Sequence, residues 1–189
     1  MKNISLIDED FMDFPIGEFP YDKNHSAMGE YHFIHYPGFY GRWYDPVCNY
    51  RYNGQGASWC IMEYNGRHYM EQMRLHNTEP HRTFPTLETG DRFWRDYDIE
   101  AGLRMFNTKW GSAGIGFCAQ NSLNLLACIF EDKKLKLVYR HKEDVEEIKS
   151  VDFDYNCDDT YNIKVSVKGS HVICLSLIHI SEPTRLRCI

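Results

Sequence analysis

From Tyr97 onward the sequence alternates apolar and polar residues in short runs broken by turns, and this period of two restricts the chain more than any other feature. Tyr97, Ile99, Ala101, Leu103 and Met105 fall on one side of an extended segment, with Asp98, Glu100 and Arg104 on the other. A β-strand sends successive side chains to opposite faces of a sheet, so such a run reads as a half-buried strand. Extending the same reasoning predicts strands near 97–106, 113–119, 123–130, 135–140, 145–153, 161–167 and 171–174. Turn residues separate several of them, at Trp110-Gly111-Ser112, Glu131-Asp132-Lys133-Lys134 and Lys168-Gly169-Ser170.

The clearest strand places Tyr161, Ile163, Val165 and Val167 inward and Asn162, Lys164, Ser166 and Lys168 outward. Each inward residue gains roughly 1.5–3 kcal/mol from burial, more than the polar face can supply, so the pattern fixes the register. No stretch shows a helical period of similar strength. Residues 144–150 are compatible with a short helical turn, on the thin stripe of Val145 and Ile148. The run from Leu123 to Phe130 is apolar on both sides, as in a strand covered on both faces. Short strands at regular spacing specify an all-β protein, and runs of unequal length favour two packed antiparallel sheets over a closed barrel.

The chain has 189 residues and seven cysteines, and a net charge of −6. That length suits a single domain, with an irregular, aromatic-rich first part (residues 1–92) and a regular second part. An acidic chain with no stripe of Lys and Arg argues against nucleic acid as a partner. No apolar run is long enough for a membrane span, and the first ten residues lack the layout of a signal peptide, so the chain reads as soluble and cytoplasmic if Met1 is the true start. Cys48, Cys60, Cys118, Cys128, Cys157 and Cys174 show no C-x-x-C spacing and are read as reduced residues in or near the core.

Residues 175–185 read LSLIHISEPTR, which resembles the in-frame translation of a transposase adaptor used to prepare DNA for sequencing. On that resemblance residues 175–189 are a non-natural tail, and the natural chain runs on differently after Cys174. An ordinary closing strand with a polar tail is the other reading.

The motifs Ser58-Trp59-Cys60-Ile61-Met62-Glu63, Asn65-Gly66-Arg67, Trp94-Arg95-Asp96-Tyr97-Asp98-Ile99, Ala113-Gly114-Ile115-Gly116-Phe117, Tyr161-Asn162-Ile163-Lys164-Val165 and Lys168-Gly169-Ser170-His171 follow in an order that resembles the concanavalin A-like, laminin G-like sandwich. The likeness is strongest to modules of bacterial carbohydrate-active proteins, including the 3-keto-disaccharide hydrolase-like group. It implies an antiparallel two-sheet jelly-roll sandwich, incomplete at the C-terminus, that binds an oligo- or polysaccharide as the first module of a larger sugar-processing protein. A downstream domain of the same natural chain is then its other partner.

Sugar rings stack their C–H faces on aromatic side chains and hold their hydroxyls with amide, carboxylate or guanidinium groups. Trp43 and Tyr44, with Arg42, Asp45, Tyr50 and Tyr52, form the segment that best fits this chemistry, although such rings equally serve to pack an irregular flap. Two pairs, Glu30 with His32 and Asp98 with Glu100, suit an enzyme instead, a glycoside hydrolase or polysaccharide lyase. Glu30 and His32 lie on one side of an extended segment, and an imidazole beside a carboxylate can exchange protons near neutral pH. Asp96, Asp98 and Glu100 alternate along one predicted strand, as the carboxylates of laminarinase-type retaining glycosidases do. Positions i and i+2 on a strand are about 6.6 Å apart, close to what a retaining pair needs, but carboxylates on an outward face are also the ordinary solvated surface. Asp10 and Asp13, in the acidic start, are candidates for a structural calcium ion. A module that only docks a catalytic neighbour is the third class.

Overall fold

The computed structural model describes residues 5–18, 26–28, 43–45, 59–73, 86–91, 93–106, 111–142, 144–157, 159–178 and 181–188, with backbone alone for 18, 26–28, 44–45, 177–178 and 181–188. The chain divides into two compact units, Met1–Asp91 and Arg92–Ile189. The division falls where the texture of the sequence changes.

In the first unit β1 (Gly17–Glu18), β2 (Ser26–Met28), β3 (Trp43–Asp45), β4 (Trp59–Tyr64) and β5 (Arg67–Gln72) form two small sheets. One is antiparallel in the order β1-β4-β5, and the other is a parallel pair of β2 and β3. The β4–β5 hairpin closes through Asn65 and Gly66, at φ 53° and 72°. Two left-handed residues in succession match the twist of the strands they join, and Asn-Gly is the dipeptide that reaches this conformation at least cost. Phe14 and Ile61 are fully buried, with Phe11, Trp43, Trp59, Met70 and Leu87 packed around them.

The second unit contains β6 (Asp98–Arg104), β7 (Ala113–Asn121), β8 (Asn124–Glu131), β9 (Lys134–His141), β10 (Asp144–Asp152), β11 (Thr160–Lys168), β12 (His171–Ile178) and β13 (Ser181–Cys188). They form two four-stranded antiparallel sheets, ordered β10-β9-β8-β7 and β13-β12-β11-β6. The chain changes sheet after β6 and after β10, and otherwise runs from hairpin to hairpin. Both sheets contribute to one apolar core, so the unit is sandwich-like. No helix occurs among the described residues.

Tyr161, Ile163, Val165 and Val167 all lie within 5% of full burial, on the side their alternation assigns. Tyr97, Ile99, Ala101, Leu103 and Met105 pack toward the same core from β6. At its centre the Phe130 ring stacks on Phe153 with centroids 5.2 Å apart and meets Tyr161 edge-on at 5.4 Å. β8 is covered on both sides: Cys128 and Phe130 enter the core, while Leu125, Ala127 and Ile129 are buried on the opposite face.

The strand expected over 145–153 is present as edge strand β10, with a bulge between Glu147 and Lys149 and with Val145 and Ile148 both exposed, and the alternative helical turn over 144–150 does not form. Two expectations are corrected. Cys118 is exposed instead of near-core, because it sits at φ 52° in a bulge of β7 between Phe117 and Asn121. Asp96 does not share the face of Asp98 and Glu100. It turns at φ 54° before the strand begins, and its carboxylate accepts the Gly169 N–H at 2.7 Å, tying the start of β6 to the β11–β12 turn.

The adaptor-like segment supplies the end of β12 and residues 181–185 of β13, which runs on to Cys188. Ser176 follows Val172 and Cys174 on the inward side of β12, opposite Ile163, and is 1% exposed with a hydroxyl that has no hydrogen-bond partner among the described residues.

Candidate functional site

β9 and β10 are joined by a two-residue turn, which sets His141 opposite Asp144 and Tyr139 opposite Glu146. Directly opposed residues of an antiparallel pair project to the same face with Cβ atoms about 5 Å apart. The four side chains accordingly line one shallow cavity of about 340 Å³. Tyr139 lies two residues after buried Leu137 and opposite Leu126, which packs on the core. The cavity therefore opens where the inner face of the sheet runs past its apolar filling. The Tyr139 and His141 rings lie nearly parallel, with centroids 6.0 Å apart and an interplanar angle of 25°. The Tyr139 hydroxyl lies 3.5 Å from His141 Nδ1. Chemically this is a pair of near-parallel aromatic rings beside two carboxylates.

The residues expected from sequence are distributed differently. Glu30, His32, Arg42, Tyr50 and Tyr52 lie outside the described residues, and Tyr44 and Asp45 are given by backbone only. Trp43 is half-buried; its indole N–H donates to Glu9 Oε2 at 3.0 Å, and its ring lies 5.5 Å from Phe11 at 37°. Those contacts anchor it in the small core around Phe14 and Ile61.

Asp98 and Glu100 are both exposed on β6, outside the sheet. Lys164 stands opposite Glu100, and its ammonium lies 3.5 Å from Asp98. A hydrogen bond from Ser166, with the Lys164 charge behind it, lowers the Asp98 carboxyl below its ordinary value. A carboxylate held ionised in this way is a poor proton donor, and a glycosidase acid needs the opposite shift.

At the acidic start, Asp10 accepts the Met12 N–H at 3.0 Å, and Glu9 Oε1 accepts the Phe11 N–H at 2.9 Å. Asp13 is exposed. Among the described residues no three His, Cys, Asp or Glu side chains gather in a way that would hold a metal ion. Nor is any described helix long and apolar enough to cross a membrane.

The hairpin site escaped the sequence reading because its four residues become neighbours only when the turn is placed at 142–143. Lys142, at φ 57°, marks that turn in the structure, whereas lysine carries no turn signal in the sequence.

Comparison of the chain with family models, with curated proteins and with solved structures finds no match. The reading of the site rests on its geometry.

Proposed function

We propose that the chain is a carbohydrate-binding module of concanavalin A-like type, taking an oligo- or polysaccharide at the β9–β10 hairpin. The observation that carries the reading is the near-parallel Tyr139–His141 pair facing Asp144 and Glu146 across one open cavity. An exposed aromatic ring accepts the C–H face of a pyranose, and the carboxylates accept hydrogen bonds from its hydroxyls. The sandwich-like unit of two sheets agrees with the resemblance. The full jelly-roll closure, and the place of this module at the front of a larger sugar-processing protein, belong to the same proposal. A hydrolase built on Asp98 and Glu100 has less support, since the Lys164 ammonium lies 3.5 Å from Asp98 and the Asp98 carboxyl is held ionised.

The test is a glycan array followed by calorimetric titration of the best ligand. Tyr139→Ala is expected to weaken binding about tenfold, the worth of one good ring contact, while leaving the melting temperature within a degree or two because the ring is 38% exposed. Absence of binding to every neutral and charged glycan tried would end the proposal.

A further inference from the structure

The residues that line the hairpin cavity carry fixed charge of one sign. Asp144 and Glu146 are carboxylates, and no Lys or Arg joins them there among the described residues. Of the cations nearby in sequence, Arg140 is buried on the other face of the sheet, opposite Val145, while Lys142 in the turn and Lys149 opposite Leu137 do not line the cavity. All four lining side chains are open to water. Carboxylates beside aromatic faces are the groups that receive an ammonium, which pairs with the charge and lies over the electron-rich ring within about 6 Å of its centre. A neutral sugar placed there strips water from the carboxylates without supplying opposite charge, and an acidic sugar adds repulsion. The net charge of −6 acts in the same direction at longer range. We propose, on the basis of the carbohydrate reading of the same hairpin, that this site selects glycans bearing free amino groups, of the glucosamine-oligomer class, over neutral and acidic glycans.

The register gives each carboxylate a ring across from it, Glu146 opposite Tyr139 and Asp144 opposite His141. The two rings are turned the same way, 25° from parallel. One sugar unit can therefore lay its C–H face on a ring while its amino group meets the facing carboxylate. Because the site is open, that attraction is screened by salt over about 8 Å at physiological ionic strength, whereas ring stacking is not. N-acetylation turns the ammonium into a neutral amide on an unchanged backbone, so an acetylated oligomer separates the effect of charge from that of shape.

The experiment titrates the full chain calorimetrically at neutral pH with tetrasaccharides of glucosamine, N-acetylglucosamine, glucose and glucuronic acid, and with spermidine as an amine that has no sugar ring. At about 20 mM salt the glucosamine oligomer is expected to bind about tenfold more tightly than its acetylated counterpart, and at about 0.5 M salt within about threefold of it. Glu146→Gln should cut the low-salt preference to about threefold or less. Asp152→Asn removes an exposed carboxylate from the same strand but outside the cavity, and should leave the preference intact. Both variants keep the shape of an exposed side chain, so the fold is retained. Equal affinity for the charged and acetylated oligomers at low salt would overturn the proposal. So would an equal loss of preference in the two variants, which traces it to bulk charge, or spermidine binding as tightly as the glucosamine oligomer. Glycan binding with no preference for the amine would remove the amino-sugar selectivity alone, whereas no binding to any of the four glycans would remove the carbohydrate reading with it.

Discussion

Tyr97 shows how one side chain can hold a strained segment. Its hydroxyl accepts the Cys118 N–H at 3.0 Å and lies 3.6 Å from the Cys118 sulfur, so the phenol at the start of β6 pins the left-handed bulge of β7. A non-glycine residue at positive φ persists only where its surroundings fix it. Burial, with the Cys118 thiol second, raises the Tyr97 hydroxyl from 10.0 to about 12. The consequence for stability has a definite sign. Below pH 10 the phenol is protonated whether the chain is folded or not. From there to about 12 the unfolded chain sheds a proton that the folded one keeps, so stability is lost as pH rises. Tyr97→Phe lacks this titration. Between about pH 9 and pH 11.5 its melting temperature should fall less than that of the natural protein, although it starts lower for want of the Cys118 hydrogen bond. Parallel curves for the two proteins would show that Tyr97 does not titrate with folding.

Strands were readable wherever one face is apolar, since period two is forced by the backbone and survives without knowledge of partners. β11 and β6 follow the written pattern residue for residue. Bulges were not readable: the strand over 145–153 was legible, but the extra residue between Glu147 and Lys149 leaves no mark in the sequence. The glycines of β7 carry a different message. A Cβ built on Gly114 would fall 2.1 Å from the Cys128 carbonyl oxygen and 2.7 Å from Ile129 Cα, both backbone atoms of β8. At Gly116 the nearest atom is the end of the Leu125 side chain, at 3.2 Å. A rotating side chain can yield and a hydrogen-bonded strand cannot. Gly114→Ala should therefore destabilise by about 1–3 kcal/mol and Gly116→Ala by clearly less, read from urea midpoints. Equal midpoints for the two variants would mean that β7 and β8 lie farther apart than the structure places them.

At the scale of the molecule, the core of the second unit was written in the sequence, and the candidate site was not. A core needs only agreement between period and burial, whereas Tyr139, His141, Asp144 and Glu146 depend on one turn that the sequence leaves unmarked. The same agreement between levels tests the far end of the chain. Along β12 the inward positions read Val172, Cys174, Ser176, and the pattern breaks at the second residue of the adaptor-like segment. A natural strand evolved to face Ile163 would place an apolar group there. Ser176 instead buries a hydroxyl with no hydrogen-bond partner among the described residues, a cost of about 1–3 kcal/mol relative to a satisfied or apolar group. Ser176→Ala removes that hydroxyl while adding no volume, and should raise stability by about 1 kcal/mol, or roughly 4–8 °C in the melting temperature of a unit this size. Most substitutions in a well-adapted core lower stability, so a rise would single out position 176 as one where the residue present does not suit the sheet. A fall of similar size would mean that the hydroxyl has a partner, and that β12 is at home in this sandwich.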